Sequence, residues 1–424
     1  MQRPQITIPH MVRTILQTLE RAGFEACVVG GAVRDMVMGR EATDWDVATS
    51  ASPREVGDLF PHLTQFSLQH GTVTLVREGR HYEVSTFRGS TPTLEDDLAH
   101  RDFTVNAMAY HPDQGRIIDP HGGRKDIALR LVRAVGVPED RFREDPLRLL
   151  RAVRIRCELD FRMDRKTRDA LSTMAPLLGS VAKERIRGEW LRILTSERPS
   201  RGLRDLVRGG LLKEIVPELT EGRSRGRKNA LQQLMHRLDR MEPVPELRLA
   251  ALFQDVADLA GPGAEAGREG DSASIAQEVM RRLKFSERMI STVTHLVRHF
   301  GEVMNGGPSW DDPAVRRLVA RLGVEHLEVF FSLCRADLEA RGKNRGQLFE
   351  LEERVRSNLK TGFPCKVQDL KVDGTKVMEI CGIEGGPEVG RILKALLAEV
   401  LDHPEWNTEE MLSARLRAMK TDRE

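Results

Sequence analysis

Val28-Val29-Gly30-Gly31-Ala32-Val33-Arg34-Asp35, followed nine residues later by Asp44-Trp45-Asp46, is the stretch around which the chain is organised. Cys27, Val28 and Val29 are apolar or β-branched and run into two glycines, which predicts a strand, a tight turn and a helix start. Adjacent glycines let the backbone approach a bulky partner with no Cβ in the way. The helix that follows aims its free N–H groups at an anion, and Arg34 adds a planar donor fork. Asp44 and Asp46 stand two apart, a spacing that on a strand turns both carboxylates to one face. Side by side they repel unless a cation lies between them. Oxygen ligands next to a phosphate-sized pocket suit Mg²⁺, which binds through one or two carboxylates together with substrate phosphates.

The chain has 424 residues, too many for one ordinary core, so about two to four domains are expected. Hydrophobic residues make up 40% and charged residues 31%, the balance of a globular rather than a disordered protein. The net charge is only +2, so any basic surface for nucleic acid must come from local asymmetry. Arginines do cluster, between Arg124 and Arg156 and again at Arg223-Ser224-Arg225-Gly226-Arg227-Lys228, although solvated faces carry such runs as well. Cys27, Cys157, Cys334, Cys365 and Cys381 are scattered, odd in number and without metal-ligand spacing, which suits a reducing cytoplasm. No apolar run approaches ~20 residues and the N-terminus has no apolar core of a signal peptide, so a membrane location is not expected.

Residues 11–22 carry Val12, Ile15, Leu16 and Leu19 at helical spacing. Ser52-Pro53-Arg54-Glu55 reads as a helix start, with Ser as cap and Pro at the first position. Residues 72–77 and 81–87 read as strands joined by a hairpin turn at Glu78-Gly79-Arg80. Within the second of them Glu83 is a candidate third carboxylate facing the aspartate pair. Ile117-Ile118-Asp119-Pro120-His121-Gly122-Gly123 reads as a strand ending in a tight turn. From about residue 140 strand-like alternation stops and helical patterning continues to the end. Over residues 143–154, Asp145 and Pro146 predict a cap and first helical position, Leu147, Leu150, Val153 and Cys157 a core face, and Asp145, Arg148, Arg151 and Arg154 a polar stripe. An Asp only accepts hydrogen bonds and an Arg only donates them. One turn apart, they can meet an amino donor beside a ring-nitrogen acceptor, the pair that cytosine and adenine present on their Watson–Crick edge.

Taken together, Gly-Gly-x-x-Arg-Asp before Asp-x-Asp resembles the nucleotidyltransferase superfamily that includes DNA polymerase β, in its branch of class II tRNA nucleotidyltransferases and bacterial poly(A) polymerases. His100-Arg101-Asp102-Phe103-Thr104-Val105-Asn106-Ala107 resembles that family's Arg-Arg-Asp-Phe-Thr-x-Asn-Ala motif, with His100 in place of the first Arg. The resemblance implies that Asp102 and Asn106 contact the sugar and Arg101 the triphosphate. Glu144-Asp145-x-x-Arg148 matches the motif whose Asp and Arg select CTP or ATP as a protein template, and Arg151 and Arg154 fall where the family places further nucleotide contacts. Lys183-Glu184-Arg185-Ile186 with Glu189 resembles the last shared motif, an interhelical brace. Residues 247–255 resemble the first apolar helix of an HD phosphohydrolase module, but Gln254 stands where that module needs His, so no HD metal site is expected. Residues 260–274 read as a mobile loop. Residues 369–374 and 407–410 resemble the tail of the tRNA enzymes.

The fold expected is therefore α+β: a polymerase-β-like head, a mixed five-stranded sheet with flanking helices, over residues 1–138. A helical neck for base recognition follows over 139–200, a degenerate HD-like body over 201–320 and a tRNA-binding tail over 321–424. The function implied is template-independent addition of nucleotides to the tRNA 3′ end by two-metal transfer. Asp44 and Asp46 would hold Mg²⁺, Glu83 would complete the cluster, and Gly30, Gly31 and Arg34 would cradle the triphosphate. Partners implied are the tRNA acceptor arm, CTP and ATP, with no membrane and no obligate protein partner. Only residues 88–100 separate Phe87 from Arg101, whereas full CCA-adding relatives carry a longer flexible loop there that CC-adding members lack. The expectation leans to CC addition. Full CCA addition, A addition, poly(A) polymerisation and an inert RNA-binding scaffold are the alternatives.

Overall fold

The computed structural model describes residues 8–65, 71–89, 92–220, 227–257, 272–304 and 310–421. The chain divides into two compact units, residues 1–217 and 218–424.

The first unit opens with α1 (His10–Arg21), which buries Met11, Val12, Ile15, Leu16 and Leu19, the stripe that its sequence spacing predicts. It leads into β1 (Ala26–Val29), α2 (Gly31–Val37) and β2 (Asp46–Thr49). Then come α3 (Pro53–Leu59), β3 (Thr64–Gln65), β4 (Thr72–Arg77), β5 (Arg80–Thr86) and α4 (Leu94–Ala99). The sheet closes with β6 (Ala109–His111) and β7 (Arg116–Ile118), and α5 (Gly123–Ala128) follows. At α3 the Ser52 hydroxyl accepts from the Glu55 amide while Glu55 accepts from the Ser52 amide, with Pro53 in the first turn. The hairpin between β4 and β5 turns on Glu78 (φ 53°) and Gly79 (φ 73°), both left-handed, the backbone that matches strand twist in a two-residue loop.

The sheet has seven strands in the order β3-β4-β5-β2-β1-β6-β7, not five. The strands that the sequence did not single out are β3, of two residues, and β6, of three, too short to stand out, whereas β7 covers Ile117 and Ile118, which read as a strand end. Pairing is antiparallel except between β2 and β5, so the sheet is mixed. All four residues of β1 are buried because helices cover both faces. Ala26 and Val28 join the core with Ile15, Leu19 and Val47, while Cys27 and Val29 join Ala48, Phe87, Leu94 and Leu98 on the opposite face. By the same alternation Asp46, in step with Ala48, belongs to the face covered by α4.

The helix that Asp145 and Pro146 were expected to open begins two residues after Pro146 as α7 (Arg148–Leu159), and a separate helix, α6 (Pro138–Glu144), precedes it. Asp145 between them is extended (φ −145°, ψ 99°). The cause is Pro146, which disfavours helical geometry in the residue before it and lacks the N–H that would continue the ladder. Leu147, Leu150, Val153 and Cys157 are buried as the core-facing stripe. Two further helices, α8 (Arg165–Met174) and α9 (Lys183–Leu194), complete the neck.

The second unit is helical throughout its described residues. In Pro245–Phe253 every residue from Leu247 to Phe253 is buried. Just beyond it, the buried Arg237 guanidinium bridges Asp255 (2.9 Å) and Asp337 (2.6 Å), and Gln254 donates to Asp337 at 2.8 Å. The helices Gly374–Cys381, Pro387–Asp402 and Glu409–Thr421 share a core of Val377, Leu396, Val400, Leu412 and Leu416. Asn407 ties the tail segments together, accepting from the Lys371 amide and donating to the Asp369 carbonyl. Of the expected mobile loop, residues 260–271 lie outside the described residues, whereas Ser272 already begins the helix Ser272–Arg282. Of the basic run 223–228, only Arg227 and Lys228 are described, at the start of Arg227–Leu238. Cys27, Cys157 and Cys334 are buried, and Cys365 and Cys381 are half-buried. Among the described residues no helix is long and apolar enough to cross a membrane.

Candidate active site

The site forms where β1 ends and β2 begins. Val29 pairs with Asp46 across the antiparallel register, and Asp46 pairs with Glu83 of β5 across the parallel one. Gly30 then turns the chain into α2 with φ 76° and ψ −137°, a conformation open essentially to glycine alone. A Cβ on Gly30 would stand 3.3 Å from Arg101 Nη1 and 3.3 Å from Asp46 Oδ2. Glycine therefore keeps open a floor between an anionic and a cationic group. Asp44 is not on the strand. It lies in the extended approach and is exposed, because Trp45 turns inward, buried and donating its indole N–H to the Ala42 carbonyl. Burial lifts the Asp46 carboxyl to about 6, with Glu83 and Asp44 adding like charge and Arg101 and Arg151 opposing them. Glu83 itself is exposed.

Arginines surround this floor, each gripped from behind. Arg34 lays Nε and Nη2 on the Asp35 carboxylate and sends Nη1 to Asn106 Oδ1 at 3.0 Å. Arg101 lays Nε and Nη2 on Asp97 Oδ2 at 2.9 and 2.8 Å. Asp102 is buried, with Oδ1 accepting from the Phe103 amide (2.8 Å) and Asn106 Nδ2 (3.3 Å). Its Oδ2 stands 2.8 Å from Arg151 Nη2, an ion pair not aligned as a hydrogen bond. Burial works against the Asp102 charge, but Arg151, the Phe103 amide, Arg148 and Asn106 outweigh it and hold its pKa below the ordinary carboxylate value. The Arg151 guanidinium is raised in turn, by Asp102 foremost, with burial opposing and Glu189, Asp145 and Asp46 adding to it.

Between α6 and α7, the Arg148 amide donates to the Asp145 carbonyl at 3.0 Å, while the two side chains turn to other partners. The Asp145 carboxylate accepts from the Leu147 amide (3.1 Å) and pairs with Arg185 of α9 at 2.8 Å. Arg148 is buried, donating Nη1 to Glu144 (2.7 Å) and the Arg141 carbonyl, and Nη2 to the His100 carbonyl (2.8 Å). That last bond ties α7 to the residue preceding Arg101. Arg154 is fully engaged in bracing helices, Nε to Glu189 of α9 at 2.5 Å and Nη1 to Glu158 at 2.8 Å.

Comparison with known proteins agrees with this geometry. A family profile described as "Poly A polymerase head domain" matches residues 26–133, one described as "Probable RNA and SrmB- binding site of polymerase A" matches 160–222, and one for domain 2 of tRNA nucleotidyltransferase matches 271–416. A CCA-adding enzyme of Levilactobacillus brevis is 42% identical over 215 residues, 47% of this chain and 54% of that protein. A CCA-adding enzyme of Geobacillus sp. is 34% identical over 406 residues, 92% of each chain. The chain belongs to the class II tRNA nucleotidyltransferases. The Bacillus stearothermophilus CCA-adding enzyme in complex with CTP superposes with a TM-score of 0.76 at 29% identity, covering 99% of both chains.

Nucleotidyltransferases generally work with divalent metals, and the residues here fit one. Burial first, and then the like charge of Glu83 and Asp44, raise the Asp46 carboxyl above the usual range, and a bound cation would offset both. Among the described residues no three Asp, Glu, His or Cys side chains gather into a closed cage. Carboxylates that share a hard cation with substrate phosphates need no such cage.

Sequence reasoning missed two grips that hold site residues in place, that of Asp97 on Arg101 and that of Asp35 on Arg34. The first was readable as an i, i+4 acid–base pair and the second as adjacency, while Arg185, in the motif expected to brace helices, pairs with Asp145, a partner too remote in sequence to be named in advance.

Proposed function

We propose that this tRNA nucleotidyltransferase adds cytidines from CTP to the tRNA 3′ end and stops after the second. The observation that carries the catalytic reading is the floor at Gly30, where the crowded Asp46 carboxylate meets the free edge of Arg101. Asp44 and Asp46 would hold Mg²⁺ beside Glu83, and the ion would supply charge stabilisation for the attacking 3′-oxygen and the leaving pyrophosphate. Gly30 and Gly31 leave room for the triphosphate, and Arg34 and Arg101 present donors to it. Asp102 and Asn106, locked to each other and to Arg151 and Arg34, offer acceptor and donor groups to the ribose hydroxyls. Asp145, Arg148 and Arg151 face the base. Arg154 acts at one remove, fixing α7 against α9. The tail would hold the acceptor arm mainly by shape and phosphate contacts, and the work is done in the cytoplasm.

Stopping at two cytidines is supported by the connection between β5 and α4, which has only residues 87–93 to span from Thr86 to Leu94. That leaves no slack for a lever to enlarge the base pocket for a purine. Full CCA addition is the second reading, favoured because the relatives matched along nine-tenths of the chain are CCA-adding enzymes. Purified protein, tRNA lacking its 3′ end and each labelled nucleotide alone and in pairs test both. Products ending at +CC, with little AMP added to a CC-ended tRNA, are expected; efficient AMP addition there overturns the CC reading in favour of the second.

A further inference from the structure

Asp97 sits beside the site but outside the motifs that mark it. Its side chain is wholly buried, more deeply than that of Asp102. A carboxylate so placed is costly unless it is paired and hydrogen-bonded. Asp97 meets that need with one oxygen on each of two segments. Oδ2 takes both Nε and Nη2 of Arg101, and Oδ1 accepts the backbone N–H of Arg88 at 3.3 Å. The grip uses one edge of the planar guanidinium and leaves Nη1 directed at the floor over Gly30, beside Asp46 Oδ2. A fork held along one edge cannot swing away, so its other edge is aimed in advance. The same carboxylate steadies a second arginine: burial and the neighbouring Arg101 push the Arg88 guanidinium pKa down, and Asp97 opposes them. The short connection at Arg88 and Gly89 and the nucleotide-side arginine thus hang on one side chain.

We propose that Asp97 is the positioning residue for Arg101, aiming its free edge at the phosphates of the incoming nucleotide and fastening the β5–α4 connection to that arginine. This rests on the reading of Arg101 as a triphosphate ligand. It differs from a plain stabilising role for Asp97 in one measurable respect: removing the grip weakens ligands in proportion to the phosphates they carry.

The test uses the full-length protein, tRNA lacking its 3′ end, CTP as substrate and CMP as a competing ligand. Asp97→Asn keeps the size and removes the charge. The expected result is a KM for CTP raised about tenfold with kcat changed less than about threefold, and an advantage of CTP over CMP in binding reduced by the same factor. Because Asp97→Asn strands the Arg101 charge, Arg101→Gln is compared with Arg101→Gln/Asp97→Asn, in which no charge is left unpaired. Asp97→Asn should add less than about twofold to the KM in that background. A wild-type KM in a folded Asp97→Asn protein, an equal loss of CTP and CMP binding, or a further rise in KM on top of Arg101→Gln overturns the proposal. Wild-type protein that adds no nucleotide to tRNA overturns the functional reading beneath it, and the proposal with it, before any variant is made.

Discussion

At the scale of single residues, Asp46 sets two properties against each other. Its carboxyl is lifted to about 6 from an ordinary 3.8, so the folded protein holds that proton more tightly than the unfolded chain does. The linkage favours folding below pH 3.8, and that contribution is lost as pH rises towards 6. Above this window the ionised group costs the metal-free protein up to about 3 kcal/mol. Asp46→Asn should therefore abolish nucleotide addition yet raise the metal-free melting temperature at pH 7.5 by roughly 2–4 °C, a gain that shrinks as pH is lowered towards the ordinary value. Mg²⁺ should raise the melting temperature of the wild type and not of the variant; equal shifts in both would remove Asp46 from the metal site. Arg148 makes a different case, since its guanidinium reaches Glu144 and two backbone carbonyls at once. Lysine has the charge without the fork. Arg148→Lys should reduce discrimination between CTP and UTP by roughly tenfold in a four-nucleotide competition, whereas unchanged selectivity would place base choice elsewhere.

At the scale of elements, the strand–turn–helix from β1 to α2 carries the site, and it was legible because its chemistry is local: β-branched residues, two glycines, an arginine one turn in. Gly30→Ala puts a Cβ on a backbone that only glycine adopts freely and into the space between Arg101 and Asp46. A loss of about 1–3 kcal/mol in stability and roughly 100-fold in kcat is expected from urea unfolding and steady-state kinetics. Near-normal kcat in Gly30→Ala would mean that the floor is not where the phosphates lie. The boundary between α6 and α7 was legible through Asp145 and Pro146, read as a cap and first helical position, whereas the separate helix α6 before it was not singled out. Asp44 was placed on a strand because Asp-x-Asp has strand periodicity, while the ladder begins only at Asp46, whose partner Val29 is the last residue of β1 before the Gly30 turn. The strands β3 and β6 left no signal, since two or three residues carry no period.

At the scale of the whole molecule, every candidate site residue lies in the first of the two compact units. A ligand stabilises only what binds it. CTP with Mg²⁺ at 100 times its Kd should stabilise residues 1–217 by about 2.7 kcal/mol, read as slowed hydrogen exchange in β1, β2 and α7, and leave the helices of residues 218–424 unchanged. Equal protection in both units would show that nucleotide binding reaches beyond the first. What the sequence disclosed at this scale was the change from sheet to helix near residue 140; how the helices divide into units depends on packing between distant segments, which no local pattern encodes.

The placement of the cysteines has a practical consequence in reactivity. Burial pushes the thiols of Cys27 and Cys157 up to about 12 and that of Cys334 well above its ordinary value, so none of the three offers a thiolate to an alkylating reagent. Cys365 and Cys381 are half-buried and both belong to the final hundred residues, and although burial raises the Cys365 thiol too, both are reached more readily than the three buried ones. A maleimide dye added to the native protein should therefore react at Cys365 and Cys381 ahead of the three buried thiols, with no engineered cysteine. The chain as it stands is a ready fluorescent reporter of what its own tail touches.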